Sequence, residues 1–280
     1  MLRNTARNRV AFQGELGAFS HAAASKLLFP QAIFVPCESF RAVFQALAQG
    51  DVAHAVIPIE NTLHGSVHEN YDLLLQYDAP IIGETTLRIS HSLIGLPGTK
   101  LANVRRALSH PVALNQCRIF FDKHPRIQPV AYYDTAGSVK ALKENGPDTA
   151  AIAGAAAASL YGAVILKPNI EDNRGNFTRF FLVTKQTAPK VKPNQAWKTS
   201  IVFSTPNTPG ALFRALACFA LRDLDMTKIE SRPLSKKPWE YIFYVDILGA
   251  RTDRAVERAF DHLREMATFC KVLGSYQPTP

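Results

Sequence analysis

The chain lacks most of the features by which a sequence announces its chemistry. Its four cysteines, Cys37, Cys117, Cys218 and Cys270, are far apart in 280 residues. That spacing excludes a zinc ribbon or a dithiol redox motif and leaves buried free thiols as the expectation. The eight histidines do not cluster. His64 and His68 are four apart, but no third ligand completes a zinc pattern, so no metal is expected. No apolar run approaches the roughly 18 residues needed to cross a bilayer. The polar start, Met1 to Asn8, has no signal-peptide core. A cytoplasmic protein without a membrane partner is the expectation. There is no dense Lys/Arg tract either. Of the net charge of +9, residues 1–195 carry 20 basic and 14 acidic side chains, and 196–280 carry 12 and 9. This even spread argues against nucleic acid and suits small anionic ligands. A Walker loop, a Gly-x-Gly-x-x-Gly fingerprint and a serine nucleophile elbow are all missing.

What is present is an alternation of short apolar runs and helical patterns from Arg9 to about Thr184. Val10-Ala11-Phe12, Ile33-Phe34-Val35 and Ala55-Val56-Ile57-Pro58-Ile59 read as strands. Between them Phe40, Val43, Phe44 and Leu47 recur at helical spacing. A helix near 66–77, a strand-rich stretch at 81–96, a helix opening near Pro111 and a strand at 128–132 continue the series. Asp134 or Thr135 caps the next helix. The order implies an α/β fold with largely parallel sheets. Residues 186–197, polar and carrying Pro189 and Pro193, read as a linker. Beyond it, 198–280 resets to strand, helix, two strands, helix, strand. That βαββαβ order is ferredoxin-like, and its sheet edge suits pairing with another copy.

Polar residues gather at strand ends. Gly14 to Ser20 offers backbone N–H groups at a helix start, with Ser20 as the expected N-cap. Glu60-Asn61-Thr62-Leu63-His64-Gly65 follows a buried strand directly, the usual place for ligands in open α/β sheets. In Ser109-His110-Pro111…Gln116-Cys117, Ser109 can cap a helix with Gln116 two turns in. The run Asn176-Phe177-Thr178-Arg179-Phe180 opens an apolar strand and offers a hydroxyl and a guanidinium, which suits a small acid. Turn, cap and solvent-facing roles explain each segment separately; together they suggest one polar cleft.

These segments, in this order, resemble the prephenate dehydratases, whose Thr-Arg-Phe signature matches Thr178-Arg179-Phe180. Pro209-Gly210-Ala211-Leu212 and Glu230-Ser231-Arg232-Pro233 are similar to the phenylalanine-binding motifs of that family's regulatory ACT domain. The resemblance covers almost the whole chain. It implies decarboxylation and dehydration of prephenate to phenylpyruvate in L-phenylalanine biosynthesis, without a cofactor and under feedback control by L-phenylalanine. It also implies a catalytic domain at 8–185, built of two lobes like type 2 periplasmic-binding proteins. One lobe takes about 9–85 with 170–185, the other 86–169. The ACT domain at 198–280 would join copies into a homodimer or homotetramer.

By the same resemblance Arg179 anchors a carboxylate and Thr178 addresses the departing hydroxyl. Asn61, Ser20, Ser109 and Gln116 orient the substrate, with Thr62 and Asn176 beside them. Two roles are open for Glu60, acid catalysis or support of this network, and two for Phe180, cavity wall or core. The family pattern is broken at His21, where Glu is usual, and at Val112, where Gln is usual; neither receives a function. Arogenate dehydratase is the rival enzyme, because Val67 to Leu75 and Asp134-Thr135-Ala136-Gly137 are similar to the plant-like branch. An amino-acid sensor is the rival outside enzymes, and retention of Thr178, Arg179 and Asn61 argues against it.

Overall fold

The computed structural model describes residues 8–28, 31–186, 191–192, 195–234 and 240–279. Six residues of the expected linker, 187–190 and 193–194, lie outside them. The chain divides into two compact units. One runs up to Leu73 and adds Thr85–Leu182; the other takes Leu74–Glu84 with Val183 onward.

Two sheets organise the larger unit. In the first, the strands run Ile33–Cys37, Arg9–Gln13, His54–Asn61, Phe177–Thr184 and Ile81–Arg88, with a short hairpin strand Gly65–Ser66 beside His54–Asn61. Arg9–Gln13 pairs in parallel with both neighbours. A strand covered on both faces reads as continuous apolar sequence, as Val10-Ala11-Phe12 does. Helix Phe40–Gln49 packs Val43, Phe44 and Leu47 inward from one stripe, and Ser39 caps it by accepting from the Ala42 N–H. The second sheet has the order Val164–Lys167, Ser92–Gly95, Thr149–Ala153, Arg106–Ser109, Gln128–Ala131. Its pairs are parallel around Arg106–Ser109 and antiparallel around Ser92–Gly95. The expectation of largely parallel sheets therefore fits only half of this one.

Several helix starts differ from the sequence reading. The first helix is Phe19–Leu27, so Ser20 lies inside its first turn rather than at its cap. The helix after Arg106–Ser109 is only Pro111–Asn115. His110 caps it, its Nδ1 accepting from the Val112 N–H, and Gln116 closes it. Asp134 caps Thr135–Lys140 by accepting from the Gly137 N–H at 2.7 Å, as the sequence suggested.

In the smaller unit the order from Lys198 is strand, helix, two strands, helix, strand. The strands form one antiparallel sheet, in the order Met226–Pro233, Tyr241–Leu248, Lys198–Ser204, Phe269–Tyr276. Helix Arg254–Met266 buries Val256, Ala259, Phe260 and Leu263 from one face, against Ala215, Cys218 and Phe219 of helix Ala211–Ala220. That helix starts after Gly210, which has φ of +75°.

All four cysteines are free, but only Cys117 and Cys218 are buried. Cys37 and Cys270 lie on the edge strands Ile33–Cys37 and Phe269–Tyr276 and are half-buried. No helix among the described residues is long and apolar enough to cross a membrane.

Candidate active site

Strand His54–Asn61 ends in a tight hairpin, where Asn61 pairs with Gly65 and Glu60 with Ser66. The hairpin turns the Asn61 side chain into a hub. Its Oδ1 accepts the backbone N–H groups of Leu63 at 2.9 Å and His64 at 3.0 Å. The amide orientation is thereby fixed, so Nδ2 points the other way and donates. Its acceptors are Asn176 Oδ1 at 2.7 Å, Phe177 O at 3.1 Å and Thr178 Oγ1 at 2.9 Å. Thr62 adds a second clip: its hydroxyl donates to Gly175 O at 2.8 Å and accepts from the Phe177 N–H at 2.9 Å. Residues 61–62 and 175–178 are thus held as one piece. Because Thr178 Oγ1 accepts from Asn61, its own O–H is not spent on that bond.

A cavity of about 300 Å³ opens beside this hub, within the size range of small-molecule sites. Thr178, Phe180, Asn61, Ser20 and Gln116 line it. Phe180 is wall and core at once, at 1% exposure. Three histidines, His64, His91 and His110, also line it, and the sequence reading assigned a function to none of them. Their signal was faint. His91 sits between Ser90 and Ser92 with no motif around it, and His64 was weighed only as a metal ligand.

Other expected residues lie elsewhere. Side chains alternate along a strand, so Thr178 and Phe180 share one face of Phe177–Thr184 while Arg179 and Phe181 take the other. The Arg179 guanidinium lies over the Phe181 ring at 4.8 Å and 3.9 Å from Glu60 Oε2. Neither Arg179 nor Glu60 is among the cavity-lining residues. Ser109 is fully buried, and its hydroxyl donates to Ile152 O at 2.6 Å instead of capping a helix or facing the cavity. Asn176, also fully buried, meets Asn61 rather than the cavity. Thr62 serves the clip.

His21 explains its own departure from the expected pattern. Its ring stands 4.6 Å edge-on from Phe34 and 5.4 Å from Phe12, and Nδ1 accepts from the Gly17 N–H. Burial lowers its pKa below the ordinary histidine value. It is a packing residue. Burial likewise lowers the pKa of His91, against weaker opposing effects from the Gln116 hydrogen bond and the Glu171 charge.

The sequence profile described as prephenate dehydratase matches residues 10–188. The chain belongs to the prephenate dehydratase family. It is an enzyme of this dehydratase type. Arogenate dehydratase/prephenate dehydratase 2 (chloroplastic) of Arabidopsis thaliana is 45% identical over 284 residues, covering 98% of this chain and 74% of the relative. Among solved structures, the prephenate dehydratase of Arthrobacter aurescens in complex with L-Phe is 31% identical with a TM-score of 0.86. That match covers 96% of this chain and 90% of the other. A protein described as a novel type of quorum quenching acylase is 34% identical with a TM-score of 0.89, covering 97% and 98%.

Proposed function

We propose that this cavity binds prephenate and converts it to phenylpyruvate, carbon dioxide and water. The C–C bond to the ring carboxylate breaks, its electron pair enters the ring, and the C–O bond at the far ring carbon breaks as the ring becomes aromatic. The leaving oxygen needs a donor and then a proton. Thr178 is the donor: Asn61 holds its oxygen from behind, and its O–H remains to meet the hydroxyl that leaves. This is the observation that carries the reading. Phe180 walls the ring, while Ser20 and Gln116 offer donors to its oxygens. Thr62 and Ser109 act through the backbone they hold, and Asn176 acts through the Asn61 side chain. Arg179 and Glu60 brace the strand from its other face.

The assignment of Thr178 predicts the kinetics of Thr178→Ala. Removing a donor used mainly in the transition state should lower kcat about 100-fold and leave KM within about threefold. A raised KM with kcat preserved would contradict it. Arogenate is the second substrate reading, favoured by the plant relative whose name carries both activities.

In this reading residues 8–185 are the catalytic domain, with lobes resembling those of type 2 periplasmic-binding proteins. Residues 186–197 are the linker, and 198–280 an ACT domain sensing L-phenylalanine. The arrangement of the two motifs supports this. Ser204 at the end of Lys198–Ser204 is level with Ile242, and Ile242 with Arg232. Ser204, five residues before Pro209, therefore lies at the same end of the sheet as Glu230 to Pro233, about 10 Å from Arg232 across one strand at the usual strand spacing. Met226–Pro233 is an edge strand with alternating exposure, open to a second copy. A homodimer or homotetramer would bring Glu230 to Pro233 of one copy to Gly210 of the next and close the L-phenylalanine site there.

A further inference from the structure

Gln116 is the cavity's one carboxamide besides Asn61, and it closes a helix of five residues with no backbone bond to hold its head. His91 supplies what is missing. Its Nε2 is 2.8 Å from Gln116 Oε1. The backbone of His91 is clamped on both sides, its N–H donating to Glu171 Oε2 at 2.9 Å and its carbonyl accepting from Ile170 N at 2.8 Å. Glu171 is itself buried and ion-paired with Arg88 at 2.6 Å. The ring stands edge-on to Phe19 with centroids 5.6 Å apart, and the residue is 2% exposed.

The decisive atom is His91 Nδ1, which is buried without a hydrogen-bond partner. A proton there would be a donor sealed from water with nothing to receive it, which costs more than an unused lone pair. The proton therefore sits on Nε2 and is donated to Gln116 Oε1. Imidazolium is disfavoured for the same reason, since it requires a proton on Nδ1. With Oε1 engaged, the Gln116 NH2 group points the opposite way, toward His64 Nδ1 at 3.4 Å on the cavity wall. The reversed amide would need the tautomer that leaves Nδ1–H unpaired.

We propose that His91 is a positioning residue: neutral and protonated on Nε2, it locks the Gln116 carboxamide so that its NH2 group faces the substrate's oxygen atoms. Carboxylate and keto oxygens both accept, so the same lock serves either function on the substrate. The proposal rests on the cavity being the dehydratase site. Without the lock, the amide would be free to turn and present its oxygen to an anion.

The test is a double-mutant cycle joined to a measurement that needs no substrate. His91→Phe keeps the ring packing and removes Nε2–H; His91→Gln places an amide nitrogen near the same point. We expect His91→Phe and Gln116→Ala each to lower kcat/KM about tenfold, the loss expected for one oriented donor. The double variant should fall no further than either single one, and His91→Gln should recover most of the loss. Nitrogen NMR of the wild-type imidazole should report the Nε2–H tautomer at neutral pH. Additive losses would overturn the proposal, as would an Nδ1–H tautomer or an imidazolium. If the wild type turns over neither prephenate nor arogenate, the functional reading fails, and the NMR result still decides the tautomer. If His91→Phe does not fold, the His91→Gln kinetics and the NMR carry the decision.

Discussion

Asn61 shows how one side chain can set a site. Two backbone N–H groups fix its oxygen, and that choice makes Nδ2 a donor to Thr178. The histidines carry a different kind of information, which is read in the pH dependence of stability. Burial lowers the pKa values of His21, His54 and His91 below the ordinary value of 6.5. The unfolded chain therefore binds more protons than the folded one below that value. Stability is full above about pH 7 and declines as pH falls through about 6.5 toward the folded-state values. Asp134, raised by burial, acts in the opposite sense near the carboxylate range. The window from about pH 7 to 5.5 belongs to the histidines. The urea midpoint should be lower at pH 5.5 than at 7.5, and an equal or higher midpoint would refute this. Asn61 and Thr178 were legible in the sequence because strand ends collect ligands. His91 was not, because nothing local marks a histidine whose role depends on a residue 25 positions away.

At the scale of elements, the loop Gly14 to Ala18 depends on close approach. Gly17 has φ of +90°, and a Cβ there would stand 3.0 Å from the Ala157 Cα. Ala18 packs with Ala136, Ala153 and Ala157 around the second sheet. Gly17→Ala should therefore destabilise the fold by about 1–3 kcal/mol, from strained backbone and a contact with main chain that cannot move aside. Urea unfolding gives the number, and an unchanged midpoint would show that the loop yields. The strand and helix order was readable from periodicity in both units. Helix starts were less so: Ser20 and Ser109 are good caps by residue type, yet Ala18 and His110 occupy those places. The strand Phe177–Thr184 teaches a related lesson. Its alternation, which sends Thr178 and Arg179 to opposite faces, was present in the sequence but hidden by reading a consecutive motif as one functional unit.

At the scale of the molecule, one unit holds the dehydratase cavity and the other the proposed L-phenylalanine sensor. Fold and family were legible because the polar strand ends recur in a fixed order along the chain. The placement of Arg179 was not, because it follows from pairing among strands distant in sequence. The most direct measurement is turnover by the purified full chain, with prephenate and arogenate offered separately, with and without L-phenylalanine, and with an N-acyl amide as a control for acylase activity. Prephenate should yield phenylpyruvate, L-phenylalanine should slow its formation, and the amide should be left intact. Hydrolysis of the amide with no turnover of prephenate or arogenate would contradict this.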